Sequence, residues 1–423
     1  MSHSEMTVIR GWVYKKREHK SIIFIDLRTE KGILQCVINK NKVSPDVWNI
    51  ATKLTQESCI EVNGSMVDQP RAPGGRELQV SAIKVYQIAE SPYPLGKKEH
   101  SPDVLMRYRH LTMRSPRYQA IMKIRAIVME AAREFFIKNG WYEISPPILT
   151  FTAVEGGATL FKVDYFGSEA YLSQSAQLYL EVMIFSLEKV WSLTPSFRAE
   201  KSRTPRHLTE YWHLEAEAAW MDMNQLMELE ENLITYMTQK TIERGADLLE
   251  FLGVNIDDLK KVRPPFKRMS YDKAIEILQD MGFDITWGED LGADEERALT
   301  QNSKVPLFVY GYPLEIKAFY VQADPKNPKI GLTADLLAPD GYGEITTGGQ
   351  REVDIDRLVE RIRKEGFDPE SYWWYLDLRR YGSVYHSGFG LGIERYLRWL
   401  LKLDHIRETI PFPRMARREE YTL

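Results

Sequence analysis

Short runs of alternating hydrophobic and polar residues mark the first part of the chain. Five such runs predict β-strands, at Val8–Val13, Ser21–Leu27, Ile33–Ile38, Cys59–Val62 and Leu78–Ile88. One helical stretch, Pro45–Leu54, lies among them. This pattern, spread over about 90 residues, is typical of a small Greek-key barrel.

The segment 91–116 interrupts this pattern. Pro92, Pro94 and Pro102 surround the charged run Lys97–His100. A basic stretch, Arg107–Arg114, follows before any long helix begins. Proline and charge in this density are typical of an interdomain connection, so we expect a domain boundary here.

Longer periodic stretches occupy the remainder of the chain. Tyr118–Lys138 carries apolar residues at helical spacing, at Ile121, Ile124, Val128, Ala131 and Phe135. Further helices are predicted at Met223–Arg244, Tyr271–Met281 and from Gly392 to about Leu403. Strand-like runs joined by turns separate them, which predicts a large antiparallel sheet with helices packed on it.

The composition limits the possible classes of protein but does not indicate a function. A length of 423 residues suggests two or three domains, and no apolar run is long enough for a transmembrane helix. The N-terminus lacks the apolar core of a secretion signal. Cys36 and Cys59 are interpreted as reduced, buried thiols, which predicts a cytoplasmic location. A net charge of −4 does not indicate nucleic-acid binding but allows local basic patches.

One polar constellation suits a nucleotide. Arg198 and Glu200 lie two residues apart, which places them on one face of a strand. Such a pair alone is usually a surface ion pair. Here Arg206, His207 and Tyr211 follow after a short loop. Guanidinium groups bind phosphate oxygens, a carboxylate can accept from the adenine amino group, and a tyrosine ring can stack on a purine.

A glycine-rich run, Ser387–Arg395, leads directly into the last predicted helix. A turn before a helix would explain it equally well. No βαβ unit surrounds it, so it is not a dinucleotide fingerprint. Its glycines allow a flat ligand to approach the backbone, and Arg395 in the first helical turn can reach a phosphate.

A third set combines carboxylates and a hydroxyl. Asp335, Glu344 and Thr347 lie around an obvious turn, and a polar loop is the simplest interpretation. Hard oxygen ligands of this kind also suit Mg²⁺ bridging phosphates.

Taken together, these segments resemble motifs 2 and 3 of class II aminoacyl-tRNA synthetases, and the helix before Ser145–Pro147 resembles motif 1. The resemblance covers essentially the whole chain and is closest to the archaeal-type asparaginyl enzymes of the aspartyl, asparaginyl and lysyl subgroup. It implies an α+β fold with an OB-fold anticodon-binding barrel at residues 1–90, a hinge at 91–116, and a catalytic domain at 117–423. That domain is an antiparallel β-sheet flanked by helices. It further implies a cytoplasmic homodimer that uses ATP and Mg²⁺ to charge tRNA(Asn) with asparagine.

The resemblance also implies roles for individual residues. Arg198 is expected on the ATP α-phosphate and the substrate carboxylate, and Arg395 near the γ-phosphate. Further ATP contacts are implied at Glu200, Arg206, His207, Leu208, Tyr211, Glu344 and Gly392. The implied metal ligands are Asp335, Glu344 and Thr347, of which Asp335 is the looser match.

The barrel and the dimer interface have implied residues as well. Phe24, Arg28 and Gln35 are expected to contact the anticodon, with Phe24 stacking on its middle uridine. Alternation alone would explain Phe24 equally well as a core residue of the barrel. Pro147 is implied at the dimer interface.

The segment Tyr171–Glu181 bears on the choice of amino acid. Aspartyl enzymes usually carry a lysine where this chain has Leu180, and that lysine pairs with the substrate carboxylate. Glu181 is expected to accept from the asparagine NH₂ group and Arg351 to donate to its carbonyl. Without the family, Glu181 would be interpreted as a surface residue. The implied amino-acid site is completed by Glu155 on the α-amino group and by Gln177, Arg198 and Thr347.

Three alternatives remain open. An aspartyl-tRNA synthetase, whether discriminating or non-discriminating, is disfavoured by Leu180 and Glu181. An amide-forming asparagine synthetase derived from the same family would have no use for an anticodon-binding barrel. A non-catalytic RNA-binding paralogue would be expected to lack the phosphate-binding arginines, yet Arg198, Arg206 and Arg395 are present.

Overall fold

The computed structural model describes residues 6–96, 99–153, 159–201 and 204–416. Contacts within the chain divide it into two compact units, which meet in sequence between Gln119 and Ala120. Every helix within the described ranges is too short or too polar to cross a lipid bilayer.

The first unit is built on a closed barrel. Its strands and short helices are β1 (Met6–His19), β2 (Ile22–Thr29), β3 (Gly32–Asn39), α1 (Pro45–Lys53), β4 (Cys59–Asp68), β5 (Arg76–Gln87), α2 (Pro102–Arg107) and α3 (Arg109–Thr112). In the described residues the barrel order is β1-β2-β3-β5-β4, and β1 closes it against β4. Only the β3–β5 pair in it is parallel. Each predicted strand is present, and β1 extends well beyond the predicted run.

Alternation along β2 separates the barrel interior from its outer side. Ile23, Ile25 and Leu27 point inward and belong to the barrel core. Phe24 has the opposite parity and is only partly buried. Phe24 is therefore not a core residue of the barrel.

The second unit contains the remaining elements. Its strands are β6 (Tyr142–Glu143), β7 (Leu149–Thr150), β8 (Lys162–Tyr165), β9 (Ser168–Leu172), β10 (Lys189–Phe197), β11 (Glu210–Ala219), β12 (Lys267–Ser270), β13 (Leu307–Tyr310), β14 (Ala323–Asp324), β15 (Asn327–Gly331), β16 (Thr333–Ala338), β17 (Gly343–Gln350) and β18 (His386–Gly392). Its helices are α4 (Pro116–Lys138, which begins just before the division), α5 (Gln177–Leu187), α6 (Met223–Phe251), α7 (Ile256–Leu259), α8 (Tyr271–Asp280), α9 (Ala293–Thr300), α10 (Ile355–Lys364), α11 (Trp373–Arg380) and α12 (Ile393–Leu400).

A large sheet organises this unit. Among the described residues eight strands form it, in the order β12-β13-β16-β17-β18-β11-β10-β6. The pairs are antiparallel except at the two edges, where β12–β13 and β10–β6 are parallel. β7, β9 and β8 form a separate three-stranded sheet. The predicted α+β class, with a barrel followed by a helix-flanked antiparallel sheet, is confirmed.

The apolar stripe of α4 is used inside the chain. Ile121, Ile124 and Val128 are fully buried, and Phe136 on the same helix stacks on Trp191 of β10 at 4.8 Å between ring centres. A Cβ atom at Gly245 of α6 would lie 2.6 Å from the side chain of Ile124, so the two helices pack closely. The stripe is therefore covered within the chain and is not available as a surface for a second copy.

Candidate active site

A cavity of about 540 Å³ opens on one face of the large sheet. Its walls come from β11, β16, β17 and β18, from α5 and α12, and from the loop between β10 and β11. Most residues predicted for ATP, metal and amino-acid binding line it, namely Gln177, Leu180, Arg198, Glu200, Arg206, His207, Leu208, Tyr211, Asp335, Glu344, Thr347, Arg351, Gly392 and Arg395. The fold thus brings residues from both halves of the second unit into one site.

The loop between β10 and β11 supplies one wall. The N–H of Arg198 donates to the carbonyl of Thr209 at 2.9 Å, which holds the loop closed at its base. The guanidinium carbon of Arg198 lies 5.8 Å from the centre of the Tyr211 ring. A cation and an aromatic face therefore lie together in the cavity, an arrangement that suits a phosphorylated purine.

A second cation comes from the first turn of α12. Glu394 is fully buried, accepts from the N–H of Trp212 at 2.9 Å and pairs with Arg125 at 2.7 Å. The next residue, Arg395, lines the cavity and donates to Glu344 at 2.7 Å. Burial opposes ionisation of Glu344, but Arg395 and the neighbouring cations hold its pKa below its usual range. The cavity thus contains fixed, paired charges.

His207 enters the cavity as a neutral imidazole. Burial lowers the pKa of His207 to about 4, and the nearby guanidinium groups of Arg395 and Arg206 act in the same direction. Its Nδ1 lies 2.5 Å from the hydroxyl oxygen of Thr204. Near pH 7 it can therefore contribute a hydrogen bond to a ligand but no charge.

The predicted metal ligands lie on two paired strands. Asp335 of β16 lies opposite Thr347 of β17, and Glu344 is on the same β17 strand. The Oδ1 atom of Asp335 is buried and has no hydrogen-bond partner within the described residues, whereas Oδ2 pairs with Lys317 at 3.1 Å. The described chain offers no cluster of three or more His, Cys, Asp or Glu that could hold a metal alone.

The other end of the cavity contains a buried ion pair. Arg351 donates to both carboxylate oxygens of Glu217, at 3.0 and 2.8 Å. Both side chains line the cavity and are at most 5% exposed. Glu215, on the same face of β11, accepts from the N–H of Ala176 at 2.7 Å and from the hydroxyl of Ser175.

These carboxylates are missing from the sequence-based prediction. Glu215 and Glu217 alternate with alanine in a strand that is otherwise buried, and this alternation could have indicated two carboxylates on one face. Lys317 and Glu296 also line the cavity without having been predicted. Each lies far in sequence from the recognised motifs.

Glu181 does not line the cavity, so its predicted contact with the substrate is wrong for this arrangement. It is fully buried, and its carboxylate accepts from Arg379 at 2.8 Å, from Tyr375 at 2.8 Å and from His386 at 2.9 Å. Gln177, which does line the cavity, donates to it at 3.1 Å. Although burial opposes it, Arg379 holds the pKa of Glu181 below its usual range. Glu181 therefore supports the wall rather than forming its surface.

Comparisons with known proteins agree with this interpretation of the cavity. A family model of class II tRNA synthetases (D, K and N) matches residues 101–416, and a model of OB-fold nucleic acid binding domains matches residues 7–86. The chain is 56% identical over 411 residues to an asparagine–tRNA ligase from Pyrococcus abyssi, a match that covers 97% of this chain and 95% of that protein. The chain belongs to the asparagine–tRNA ligase family of class II tRNA synthetases.

Solved structures agree with this assignment. The crystal structure of asparaginyl-tRNA synthetase from Pyrococcus horikoshii complexed with asparaginyl-adenylate has a TM-score of 0.94 and 54% identity, and the match covers 97% of this chain and 95% of that one. An aspartyl tRNA synthetase from Entamoeba histolytica has a TM-score of 0.84 and 25% identity, with 97% and 89% covered. The predicted class II family and its asparaginyl branch are confirmed.

The barrel residues of this class II synthetase that are predicted to contact RNA fall into two groups, one on the outer side of the barrel and one buried. Gln35 lies on the outer side of the barrel, where it donates to Glu77 at 2.8 Å and accepts from Arg17 at 3.3 Å. Arg28 is buried and donates to both oxygens of Glu57, at 2.5 and 2.8 Å. The prediction that Arg28 contacts the anticodon is wrong, because its guanidinium is already held inside the unit.

Two further predicted residues of this synthetase are Glu155 and Pro147. Glu155 lies outside the described residues. Pro147 is exposed, in the extended segment between β6 and β7. Its role at a dimer interface stays a prediction.

Proposed function

We propose that the chain is an asparagine–tRNA ligase, which activates asparagine with ATP to asparaginyl-adenylate and transfers the asparaginyl group to the 3′ end of tRNA(Asn). The observation that carries this proposal is the buried Arg351–Glu217 pair in the same cavity as the nucleotide-binding arginines. The names of the relatives support it, and so does the likeness to a structure complexed with asparaginyl-adenylate.

The first step needs no protein nucleophile. A carboxylate oxygen of asparagine attacks the α-phosphorus of ATP, the new O–P bond forms, and the bond to the β-phosphate breaks to release pyrophosphate. Arg198 stabilises the charge that develops on the α-phosphate and orients the attacking carboxylate, and Arg395 holds the far end of the triphosphate. Catalysis is then positioning and electrostatic stabilisation.

The remaining polar groups of the cavity bind the nucleobase and the outer phosphates. Tyr211 stacks on the adenine and Glu200 accepts from its amino group. Arg206 and the neutral His207 contact the β- and γ-phosphates. The backbone near Leu208 and Gly392 lies against the ligand. All of these residues line the cavity. In the second step the terminal ribose hydroxyl of the tRNA attacks the activated carbonyl, and AMP leaves.

The Arg351–Glu217 pair recognises the side-chain amide of asparagine. One oxygen of Glu217 accepts from the asparagine NH₂ group while Arg351 donates to the amide oxygen, so both halves of the amide find a partner. Leu180 lines the same cavity and offers no cation to a carboxylate. Glu215, with Gln177, is suited to bind the α-ammonium group, because both line the cavity and both carry acceptor oxygens.

Mg²⁺ fits the two-strand carboxylate site. The unpartnered buried Oδ1 of Asp335, together with Glu344 and the hydroxyl of Thr347, gives a hard-oxygen donor set that needs phosphate oxygens to complete it. When bound there, the ion would neutralise charge on the phosphates. Each carboxylate also has a cation beside it, Lys317 at Asp335 and Arg395 at Glu344.

The barrel at residues 1–90 is proposed to bind the anticodon, with 91–116 as a hinge and 117–423 as the catalytic domain. Phe24 is partly exposed on the outer side of the barrel, and Gln35 lies with a row of polar side chains there. Stacking on an aromatic ring with hydrogen bonds to base edges is the usual way to read single-stranded RNA.

We also propose a homodimer in the cytoplasm. Pro147 lies between exposed apolar side chains, those of Tyr142, Leu149 and Phe151. Exposed apolar residues concentrated on one short segment are typical of a protein interface. The surface that packs is then the Tyr142–Phe151 segment and not the buried stripe of α4.

The test is pyrophosphate exchange with asparagine and with aspartate as separate substrates. Strong asparagine-dependent exchange and weak aspartate-dependent exchange are expected. Exchange with aspartate in place of asparagine would favour an aspartyl enzyme, and equal exchange with both would remove the proposed preference for asparagine. Exchange with aspartate, formation of asparagine from ammonia and no charging of tRNA would favour an amide-forming enzyme instead.

A further inference from the structure

Glu296 occupies an unusual position between two parts of the proposed ATP site. It lies on α9, is 5% exposed and lines the cavity. A single carboxylate oxygen, Oε2, accepts from Nη1 of Arg206 at 2.5 Å and from the N–H of Glu344 at 2.9 Å. One side chain therefore connects the loop between β10 and β11 to the start of β17.

Gly343 makes this junction possible. Its φ angle is +82°, and a Cβ atom there would lie 2.6 Å from Oε2 of Glu296 and 3.1 Å from Nη1 of Arg206. Any side chain at this position would push the carboxylate or the guanidinium away. The close approach of backbone, carboxylate and guanidinium is thus built into the turn that begins β17.

Arg206 retains most of its donors for a ligand. A guanidinium has five N–H donors in a rigid fork, and Glu296 takes one of them. The Nε of Arg206 is buried and has no hydrogen-bond partner within the described residues. A phosphate can therefore accept from Arg206 without breaking its contact with Glu296.

We propose that Glu296 is a positioning residue for ATP: it holds Arg206 and the Glu344 backbone in place so that the guanidinium is already directed at the outer phosphates. This rests on the proposed ATP site. A long arginine in a surface loop samples many rotamers, and an anchored one binds its ligand with less loss of freedom. Groups that orient a ligand-binding residue in this way typically change affinity or activity by about 10–100-fold when removed.

A competing role is that Glu296 blocks Arg206 and must be displaced by ATP. The two roles give opposite results on removal of the carboxylate. If Glu296 positions Arg206, ATP binds more weakly without it. If Glu296 competes with the phosphates, ATP binds more tightly.

The experiment is calorimetric titration of the full chain with ATP at fixed magnesium concentration and with no asparagine present. The variants are Glu296→Ala and Glu296→Gln, and the control is Asp294→Asn, an exposed carboxylate on the same helix that pairs with Arg297. Burial, together with the Glu344 carboxylate, raises the pKa of Glu296 to about 7, so the titrations are made at pH 8, where it is ionised.

Glu296→Ala is expected to raise the Kd for ATP about tenfold. Glu296→Gln, which keeps an acceptor oxygen, is expected to raise it by less, and Asp294→Asn should leave it unchanged. In an Arg206→Ala background Glu296→Ala should weaken ATP binding by a smaller factor than in the wild type, because the part of its effect that passes through Arg206 is already lost and the part that passes through the Glu344 backbone remains. A purely structural defect would instead act by the same factor in both backgrounds and would also weaken asparagine binding measured separately.

Unchanged or tighter ATP binding by Glu296→Ala would overturn the proposal. If that variant does not fold, Glu296→Gln decides in the same way, with weaker ATP binding as the expected result. ATP is titrated alone, so this experiment does not depend on asparagine activation. A wild-type chain that binds ATP but does not activate asparagine would refute the proposed function and leave the role of Glu296 in ATP binding unaffected.

Discussion

The sharpest consequence of the site geometry concerns the choice between asparagine and aspartate. Glu217→Gln removes one charge from the buried pair and changes no volume. In the present chain Arg351 donates to both oxygens of Glu217, at 3.0 and 2.8 Å. Glutamine keeps one acceptor oxygen and replaces the other with an NH₂ group, which cannot accept. The arginine is left with a partly unpaired charge.

The magnitude follows from Coulomb's law for two like charges in hydrogen-bonding range of each other. A substrate carboxylate about 4 Å from Glu217 would be repelled by about 4 kcal/mol at an effective dielectric constant of 20. That energy corresponds to about a thousandfold discrimination, of which attraction by Arg351 cancels a part. The variant loses the repulsion and keeps the attraction. We expect the preference for asparagine over aspartate to fall by at least about tenfold, with asparagine use itself weakened.

The assay is pyrophosphate exchange, with kcat/KM measured for each amino acid. Glu181→Gln is the comparison, because Glu181 does not itself line the cavity and contacts its wall through Gln177. Glu181→Gln should lower kcat/KM for asparagine and for aspartate by similar factors. The ratio of the two values should stay within about threefold of the wild-type ratio. Urea unfolding of both variants controls for stability, since a buried ion pair that loses one charge can cost about 3–5 kcal/mol.

Two results would refute this reasoning. An unchanged substrate ratio in Glu217→Gln would remove Glu217 from amide recognition. A larger change of the ratio in Glu181→Gln than in Glu217→Gln would return Glu181 to contact with the substrate, as the family resemblance implies.

Four further outcomes are expected. Phe24→Ala should weaken tRNA charging by about 1–3 kcal/mol through lost base stacking while adenylate formation, measured by exchange, stays intact; equal loss of both would make Phe24 structural. Arg28→Leu should lower the free energy of unfolding by about 1–3 kcal/mol in urea titrations, because the buried Glu57 loses its bidentate partner and keeps the contact with Arg114 at 3.2 Å; reduced tRNA affinity at unchanged stability would contradict this. Light scattering at micromolar concentration should give a dimer that Pro147 variants weaken, and a monomer alone would count against that interface. Chelation of divalent metal should stop exchange and added Mg²⁺ should restore it, and exchange that survives chelation would exclude a metal requirement.

Local pattern predicted much of the fold. Alternation in β2 and β3 and helical spacing in α4 and α6 are short-range signals, since each depends only on the backbone geometry of its own segment. The lengths were less well predicted: β1 runs to His19 and α6 to Phe251, because tertiary packing extends elements beyond the residues whose own pattern favours them.

The site was predictable where its residues belong to compact motifs. Arg198 and Tyr211 are separated by one hairpin, and Arg395 directly follows the glycine-rich strand, so sequence spacing nearly fixes their positions. Glu217 lies on the same strand as Tyr211, and its alternation with alanine indicates only a shared face of β11. Glu296 and Lys317 have no such local signature, and they enter the cavity only because elements distant in sequence pack around the same space.

The sequence by itself therefore determined the order of elements, the family, and the residues grouped in its motifs. Only the tertiary structure decided which charged side chain faces the substrate. Leu180 and Glu181 are adjacent, yet a helix turns by about 100° per residue, so Leu180 faces the cavity while Glu181 turns toward Arg379 and His386. Arg28 has the outward parity of Phe24, but Glu57, almost thirty residues later, covers it. Periodicity fixes the side of an element on which a residue lies, and the long-range packing of the chain fixes what it meets there.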